Sequence, residues 1–479
     1  MGAGVAGHTA ALHLRRMVGK EHDVVVIAPN SKWNWIPSNI WVGVGQMDTK
    51  QVTFPLAPIY QRKGIEFHQA LATELHPEGS ADLPRPHVTV RYTDPARQGQ
   101  IGQIEYDYLI NATGPKLNFG ATPGLGPDAN SWSVCTAGHA EEANKALQEV
   151  IGKLKRGEKQ TLLIGMGNGT CTCQGAAFEY TFNVEHELRR EGVRDKAEVI
   201  YITNESSLGD FGMDGMNFGH KGEVIPSQMF TESIFRERGV KAIMSAAVER
   251  VDDGSVAYEL VDGTKGEQSF DFAMLLPPFR GVDLAAYDKD GNDITSEVFA
   301  PNGFMKVDAD YTQKPYEEWK ASDWPKTYQS VKYDNVWAAG IAFAPPHAMS
   351  RPQTTPNGTL IAPAPPRTGM PSGVIGRAVA QTIAGRIKHG AQGKVHTASM
   401  ANMGAACIAS AGKGWRTGTA AAMTVFPIVP DKEKYGDAGR DVKETYGEIG
   451  LSAHWMKVML HYLFIYKAKA RPFWYLIPE

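Results

Sequence analysis

Two glycine-rich turns, each opening a helical pattern that leads to a further β-strand, constrain this chain more than any other feature. The first turn holds Gly2, Gly4 and Gly7 in G-x-G-x-x-G spacing, and the second begins at Gly165 and Gly167, about 160 residues later. Turns of this kind bring backbone amides and a helix N-terminus close to a pyrophosphate. The repeat therefore predicts an α/β fold with two Rossmann-like dinucleotide-binding domains.

The two units differ in completeness. No strand precedes Gly2 in this sequence, whereas the next strand is clear at residues 23–28. An acidic ribose ligand normally ends that strand, but here the strand runs into Asn30, which is the expected substitute. The second unit has both strands, at residues 161–164 and 198–203, with a helical pattern between them.

Length requires more than one core, because single cores stop growing at roughly 250 to 300 residues and this chain has 479. Strand signals at residues 272–276 and 335–339 indicate that the first domain is discontinuous, while residues 344–371 indicate an extended loop before a helix at 372–389. We expect a first domain at 1–155 that returns at 276–390, a second at 156–275, and a C-terminal segment at 391–479.

Composition excludes several classes of protein. The 49 Lys and Arg residues nearly balance 52 Asp and Glu, and 42% of residues are hydrophobic, so neither disorder nor nucleic-acid binding is expected. The sequence has no apolar stretch long enough for a spanning helix and no secretory signal layout, so any membrane contact should be monotopic. Four cysteines are too few for a disulfide scaffold, and no metal site is expected.

The second glycine turn departs from a nicotinamide-binding loop. Its third fingerprint position holds Thr170, and Cys171 and Cys173 follow. A branched side chain there should impede close helix packing over a dinucleotide, and a helix N-terminus favours a thiolate. The turn is therefore predicted to present a thiol, although both cysteines could instead be small core residues.

The cysteine-bearing segments carry a resemblance to a known family. CQGAAFEY, from Cys173, resembles the C-x-G-x-A-Y-E segment of sulfide:quinone oxidoreductases. Similar matches follow in SVCTAGHA around Cys135, LGDFG from Leu208, LLPPFRG from Leu275, GAACIASAGKG around Cys407 and WNWIPSNIWVGVG from Trp33. The resemblance covers nearly the whole chain, and the thiols are its specific part, since flavin folds in general share the glycines.

The resemblance implies roles for the thiols and their neighbours. Cys173 and Cys407 would face each other beside the flavin and cycle through a sulfur bridge that hydrosulfide attacks, with Cys407 as the flavin-attacking partner. Cys135 matches a third family cysteine whose role varies. Glu179 and His139 occupy family positions near the sulfide site, where they could move protons or serve structure alone.

The expected cofactor is FAD. A cation at Arg367, where the family commonly has Lys, would stabilise the anionic reduced ring, and Gly340 with Ile341 replaces a Gly-Asp pair, as in the sulfide:quinone enzymes. The fingerprint and the resemblance together predict FAD-binding residues at Gly2, Gly4, Ala6, Gly7, Asn30, Pro37, Ser38, Asn39, Thr113, Gly114, Gly340, Ile341, Arg367, Thr368 and Gly369.

The C-terminal segment predicts a membrane-associating helix. Residues 453–466 are apolar around most of a helix, and His454, Lys457 and His461 line one narrow polar stripe. The residues expected to enter a bilayer are Trp455, Met456, Met459, Leu460, Leu463 and Phe464, with Lys467, Lys469 and Arg471 attracting anionic lipid. The resemblance places Leu460 and Phe464 near the quinone. An ordinary packing helix with a dimer seam is the alternative.

The resemblance implies an enzyme that oxidises hydrogen sulfide to polysulfide or zero-valent sulfur and passes two electrons through FAD to membrane quinone. Such a chain would lie on the lipid surface as a peripheral membrane protein, and a homo-oligomer is compatible with it. Three alternatives remain at this point: a flavocytochrome c-type sulfide dehydrogenase flavoprotein, an NADH:quinone oxidoreductase, and a flavin-binding scaffold without turnover.

Overall fold

The structure is a computed structural model that describes residues 1–169, 174–220, 223–364, 369–412 and 414–479. Thr170, Cys171, Cys173, Arg367 and Thr368, which the sequence singles out, lie outside the described residues.

Elements alternate along the chain, as an α/β fold requires. The N-terminal part holds α1 (Val5–Met17), β1 (Val25–Ala28), β2 (Lys32–Asn34), α2 (Asn39–Val42), α3 (Thr49–Val52), β3 (Thr53–Pro55), α4 (Ala57–Lys63), β4 (Glu66–His76), β5 (His87–Tyr92), β6 (Ile101–Glu105), β7 (Leu109–Asn111), β8 (Pro115–Leu117) and α5 (Ala137–Lys155). The central part holds β9 (Gln160–Met166), α6 (Gln174–Arg190), β10 (Ala197–Ile202), β11 (Asn217–His220), β12 (Glu223–Pro226), α7 (Ser227–Arg238), β13 (Lys241–Ile243), β14 (Ala246–Asp252), β15 (Ser255–Leu260), β16 (Lys265–Ser269) and β17 (Phe272–Leu276).

The remaining elements return to the first unit and then form the C-terminal part. They are β18 (Phe279–Gly281), β19 (Ala285–Ala286), α8 (Thr295–Val298), β20 (Val336–Ala338), β21 (Gln353–Thr354), β22 (Leu360–Ile361), α9 (Gly369–His389), β23 (Ala405–Ala411), β24 (Thr419–Val425), α10 (Lys432–Tyr435), β25 (Tyr446–Gly450) and α11 (Leu451–Ala468).

The first Rossmann-like unit is discontinuous in sequence, as predicted. One of its sheets has the order β1-β4-β5-β6, with β19 also paired to β4. A separate parallel pair joins β7 to β20, so residues 336–338 return to the strand at 109–111. Met1 and Gly2 connect the two sheets, because the Met1 amine donates to Ile110 O at 2.8 Å and Gly2 N donates to Ile27 O at 2.7 Å.

The second unit is a parallel sheet of order β13-β10-β9-β17. Every residue of β17 is buried, and so is nearly all of β9, which explains why both strands read as unbroken apolar runs. The second glycine turn leaves the carboxyl end of β9, at the edge where open α/β sheets form their ligand crevices.

The C-terminal part is an antiparallel sheet, β23-β24-β25, with α11 packed on it. Cys407 lies on β23 opposite Met423. Among the described residues, no helix is both long and apolar enough to cross a bilayer.

The predicted loop at 344–371 is partly wrong. Within it β21 and β22 form a short antiparallel pair, and α9 begins at Gly369 rather than Ser372. The hairpin is fixed by tertiary contacts, since Thr359 Oγ1 donates to the buried Glu259 carboxylate at 2.7 Å. Nothing in a Pro- and Thr-rich segment signals such a distant partner.

Candidate redox site

Cys407 lies against the first turn of α6. Its Sγ is 2.7 Å from the position that a Cβ on Gly175 would occupy. Gly175 is two residues after Cys173, so β23 brings Cys407 to the segment that directly follows the predicted partner thiol. Any side chain at Gly175 would displace the sulfur, which explains a glycine in the first turn of this helix.

Glu179, one turn further along α6, joins three elements. Its carboxylate accepts a hydrogen bond from Ser410 N on β23 at 3.2 Å and pairs with Lys457 Nζ on α11 at 3.0 Å. Burial raises the pKa of Glu179, while Lys457 and the Ser410 amide lower it. The Glu179 carboxylate is therefore nearly solvent-free and is held by a cation from α11. Its partner on β23, Ser410, lies three residues after Cys407.

Sequence reasoning did not assign Lys457 a partner. The signal was present in the stripe of His454, Lys457 and His461, which is an odd set of polar residues on an apolar helix. The structure turns this stripe inward: His454 Nδ1 shares a hydrogen bond with Ser410 Oγ, and His461 Nδ1 shares one with Ser38 Oγ at 2.8 Å. Burial lowers the pKa of His454, and it lowers the pKa of His461 to about 4.

The apolar side of α11 consequently faces away from the protein. Met459 is 52% exposed and Tyr462 is 58% exposed, and Trp455 and Leu463 are exposed beside them. An ordinary surface helix buries its apolar stripe and exposes its polar one. Helix α11 does the reverse: it buries its polar stripe and exposes apolar side chains, unlike a helix whose outer face contacts water.

The two predicted quinone residues lie on the inner flank of α11. Leu460 packs against the buried side chains of β23 and β24, including Ile408. The ring of Phe464 stacks on Trp35, with centroids 4.7 Å apart and planes at 13°. The Trp35 ring lies 3.7 Å from the Cβ position of Gly369, the first residue of α9. One aromatic ring therefore separates Phe464 from the predicted cofactor segment.

The first glycine turn has the close contacts of a nucleotide-binding turn. A Cβ at Gly2 would lie 2.0 Å from Ala112 O, and one at Gly7 would lie 2.2 Å from Gly2 O. A Cβ at Gly4, by contrast, would meet no described atom within 4 Å. Gly2 and Gly7 thus serve backbone packing, while Gly4 borders open space at the N-terminus of α1, which is the kind of position where helix N-termini bind anions.

Helix α9 supports this turn through small residues. A Cβ at Gly376 would lie 2.4 Å from Ala6 O, and one at Gly340 would lie 2.7 Å from Ala6 Cβ. The returning part of the chain therefore fixes α1 from behind. Ala6 and Gly340, both predicted as cofactor-binding residues, meet here by direct packing, and Ile341 is half-buried beside them.

Three other residues predicted to bind the cofactor, Pro37, Ser38 and Asn39, are buried or half-buried. Asn39 is fully buried, and its amide donates to Asn34 Oδ1 at 3.1 Å and to Val134 O at 3.3 Å. Ser38 is equally buried, and Pro37 is half-buried next to it. These side chains hold the 37–39 segment against α11 and the loop at Val134 that precedes α5.

Two further positions border open space. Gly114 has a left-handed φ of +69°, and a Cβ there would meet no described atom within 4 Å. Thr113 Oγ1 donates to Asn111 Oδ1 at 2.8 Å, which fixes the start of this turn. Asn30 is exposed at the end of β1, where a ribose ligand would be accessible.

Cys135 and His139 lie at the start of α5. Cys135 precedes α5, and its amide donates to Ser133 Oγ at 3.1 Å. The His139 ring lies 5.9 Å from the Phe119 ring, and burial lowers the pKa of this histidine. No described contact brings His139 to Glu179, so the two predicted proton carriers have different partners.

Glu205, three residues past β10, is a residue that sequence reasoning missed. An acid near this position of a dinucleotide-binding unit normally reaches the ribose. Here the carboxylate is buried and accepts hydrogen bonds from Phe211 N at 2.6 Å and Thr203 Oγ1 at 2.8 Å. Burial and the neighbouring Asp210 raise the pKa of Glu205 to about 8. The acid of the second unit is turned into the protein.

Comparison with known proteins agrees with this geometry. No protein-family model matches the chain. The sulfide-quinone reductase of Aquifex aeolicus is 27% identical over 471 residues, covering 98% of this chain and 90% of that protein. The mitochondrial sulfide:quinone oxidoreductase of Dictyostelium discoideum is 22% identical over 351 residues, covering 71% of this chain and 64% of that protein.

Solved structures add the fold. The crystal structure of the Aquifex aeolicus sulfide:quinone oxidoreductase matches with a TM-score of 0.74 at 26% identity, over 98% of this chain and 90% of that one. The structure of NDH2 from Plasmodium falciparum in complex with NADH matches with a TM-score of 0.62 at 14% identity, over 97% and 93%, and this second likeness shows the fold alone. The likeness to the Aquifex protein extends over nearly the whole chain, which therefore resembles sulfide:quinone oxidoreductases, and this likeness implies a flavin-type cofactor.

Proposed function

We propose that this chain is an FAD-dependent sulfide:quinone oxidoreductase, which oxidises hydrogen sulfide to zero-valent sulfur or polysulfide and reduces membrane quinone. The observation that carries the proposal is the contact of Cys407 Sγ with the first turn of α6, directly after Cys173. Two thiols from segments remote in sequence are needed for a sulfur bridge, and an isolated structural cysteine would have no reason to be placed there.

FAD would be held by the first unit. Gly4 leaves room for the pyrophosphate at the N-terminus of α1, and Gly114 borders open space on the same unit. When bound, FAD accepts two electrons as sulfide sulfur becomes zero-valent and delivers them to quinone. Arg367, Thr368 and Gly369 stand where the family meets the flavin, and Gly369 contacts Trp35.

The thiol pair would carry the sulfur. Hydrosulfide attacks the bridge between Cys173 and Cys407, which leaves one cysteine as a persulfide and the other as a thiolate. A helix N-terminus favours the thiolate form, and Cys173 immediately precedes α6. Overall, hydrogen sulfide and quinone become zero-valent sulfur and quinol, with two electrons and two protons transferred.

Glu179 and Lys457 would link the two half-reactions. Hydrogen sulfide must lose protons and quinone must gain them, and the Glu179–Lys457 pair joins α6, which follows the thiol turn, to α11. Burial raises the pKa of the Glu179 carboxyl, so this group accepts a proton more readily than an exposed carboxylate does. Cys135 and His139, at the start of α5, remain candidates for a part in sulfur or proton handling.

The inverted helix α11 would rest on the bilayer. Transferring its exposed apolar side chains into lipid at roughly 25 cal/mol per Å² supplies several kcal/mol. Leu460 and Phe464 lie on the flank between that face and the protein core, which is the position a lipid-borne quinone needs. A flavocytochrome-type enzyme would use a water-soluble electron acceptor, which would not require an exposed apolar face. An NADH:quinone oxidoreductase would need an acid that reaches the nicotinamide ribose, and the buried Glu205 is poorly placed for that.

An anaerobic titration tests the activity. Sulfide is expected to bleach the flavin absorbance of the purified protein, and a short-chain quinone is expected to restore it. Flavin that sulfide leaves oxidised over minutes would contradict the proposal and favour a scaffold without turnover.

A second experiment tests the bilayer contact. The triple variant Met459→Ser, Tyr462→Ser, Leu463→Ser removes apolar area from the outer face only, so it should lose flotation with liposomes and slow reoxidation by long-chain quinone. Bleaching by sulfide should persist. The matched control is Val224→Ser with Met229→Ser, which are exposed apolar residues elsewhere, and it should float as the parent does. Full flotation of the triple variant would disprove the bilayer contact.

A further inference from the structure

The described tip of the β23–β24 hairpin, residues 414–418, lies beside the outer face of α11. Trp415 at this tip is 64% exposed, and its carbonyl accepts a hydrogen bond from Trp455 Nε1 at 2.8 Å. Gly418 packs against His454, because a Cβ on that glycine would lie 2.2 Å from His454 Nε2. The hairpin tip is therefore attached to the first turns of α11, on the side where Trp455 is exposed.

The charges of the two segments are of one sign. Residues 405–430 and 451–478 contain no Asp or Glu, while the same stretches contain Lys413, Arg416, Lys469 and Arg471. Arg416 and Arg471 are exposed in the structure. An apolar face bordered by cations and free of carboxylates in its sequence is complementary to an anionic lipid surface.

The same charges disfavour a second copy of this chain as the occupant. A twofold contact would bring Arg416 and Arg471 toward the cations of the other copy, with no carboxylate from these stretches to pair them. Tryptophan, with an apolar body and one N–H, is also the side chain that suits a headgroup boundary.

Trp455, Met459 and Leu463, which are all exposed, lie four residues apart on one face of α11. Trp455 to Leu463 covers about 12 Å of helix at 1.5 Å per residue, with Trp415 beside its first turn and the exposed Phe473 and Leu476 beyond its C-terminal end. Contact at both ends would hold α11 parallel to the bilayer plane.

We propose that the hairpin tip at 414–418 is a second membrane-contact element, in which Trp415 enters the headgroup region of an anionic bilayer and Arg416 binds its phosphates. The proposal rests on the bilayer contact of α11 under the proposed function. The tip continues into β23, the strand of Cys407, so the sulfide site and the bilayer would be joined by one short strand.

Vesicle binding of the full chain tests this proposal. We expect Trp415→Ala to weaken binding to phosphatidylglycerol-containing vesicles about tenfold, and Arg416→Glu to weaken it similarly on those vesicles but little on phosphatidylcholine alone. Met229→Ala, which removes a 63% exposed side chain on α7, should bind as the parent chain does. Reduction of a short-chain quinone by sulfide should be unchanged in all three variants.

The outcomes separate the hypotheses. Unchanged vesicle binding of Trp415→Ala, or equal losses in Trp415→Ala and Met229→Ala, would overturn the hairpin contact. A shift from dimer to monomer in Trp415→Ala with vesicle binding intact would assign the face to a second copy instead. If the parent chain bound vesicles through Trp415 but sulfide failed to bleach its flavin, the membrane contact would stand and the proposed activity would fall.

Discussion

The two glycine turns begin alike and end as different sites. In the first, Gly2 and Gly7 allow backbone contacts near 2 Å from their Cβ positions, Gly4 borders open space, and Asn30 is exposed at the end of β1. In the second, Gly165 serves packing, since its Cβ position is 1.8 Å from Ile202 O, and Glu205 is buried. Under the proposed function, a shared fold would serve a nucleotide in the first unit and sulfur chemistry in the second.

The difference also concerns what each helix presents. Helix α1 has Gly4 as its N-cap, and no described side chain caps its first backbone amides. These amides would be available to an anion. Helix α6 begins directly after Cys173, and its first turn contacts Cys407, so under the proposed function its N-terminus would act on a thiol. The same positive end of a helix dipole would then stabilise a phosphate in one unit and a thiolate in the other.

The largest expected effect comes from removing the thiols. Cys173→Ser and Cys407→Ser should each reduce sulfide-dependent quinone reduction by about a thousandfold or more, because a hydroxyl forms neither a sulfur bridge nor a persulfide; each tenfold loss corresponds to about 1.4 kcal/mol. FAD should remain bound, as its absorbance would show. Cys171→Ser should be mild. Retention of more than a tenth of the turnover by either variant would make that cysteine dispensable and remove the contrast between the units.

The next effect separates Gly4 from Gly7. Gly7→Ala places a methyl group against Gly2 O and should lower both the melting temperature of the apoprotein and FAD affinity. Gly4→Ala has room in the protein, so it should leave apoprotein melting unchanged and weaken FAD binding about tenfold or more. Thermal unfolding and a flavin fluorescence titration measure these. Unimpaired FAD binding by Gly4→Ala would show that the pyrophosphate does not lie at this turn.

A smaller effect should follow from Glu205. Its folded-state pKa is raised to about 8, so the folded protein holds a proton that the unfolded chain releases near its ordinary pKa. Stability from this group is complete at low pH and is lost as pH rises from about 5 to 8, by a few kcal/mol at most.

Glu205→Gln should therefore flatten the decline in melting temperature between pH 5 and pH 8. Glu237→Gln, at an exposed carboxylate on α7, is the control and should leave the slope unchanged. An identical slope in parent and Glu205→Gln would mean that this carboxylate is ionised in the folded protein, and that the second unit has kept an available acid.

The smallest expected effect is that of NADH on the flavin: we expect NADH not to reduce it. With Glu205 turned inward and Cys173 at the helix start, sub-millimolar NADH should leave the flavin oxidised while sulfide bleaches it. Stopped-flow absorbance under anaerobic conditions compares the two reductants on one sample. Rapid bleaching by NADH would make the two units alike again and support an NADH:quinone oxidoreductase.

The elements of both units were predictable where burial is complete. The strand predicted at 272–276 matches Phe272–Leu276, and that predicted at 161–164 falls within Gln160–Met166, because parallel strands buried on both faces read as apolar runs. The hairpin of β21 and β22 was missed, since its partner Glu259 is about 100 residues away in sequence. The proposed domain boundaries stay predictions.

The C-terminal helix shows where sequence reasoning stopped. Trp455, Met459 and Leu463 are exposed, whereas Met456, Leu460 and Phe464 are half-buried and also contact the protein. The expectation that all six apolar side chains meet lipid stays a prediction. Lys467 was misplaced, because it is buried against Glu479 at 2.7 Å rather than available to anionic lipid.

By itself the sequence determined two Rossmann-like units, Thr170 in place of the third glycine and the resemblance of the thiol segments to sulfide:quinone oxidoreductases, because turn spacing, short motifs and buried runs are local properties. Only the tertiary structure decided that Cys407 meets the start of α6, that Glu179 pairs with Lys457, and that α11 turns its polar stripe inward. A helical period defines two faces but not which one meets the protein; that choice was made by Ser38, Glu179 and Ser410, which offer hydrogen-bond partners to one face alone.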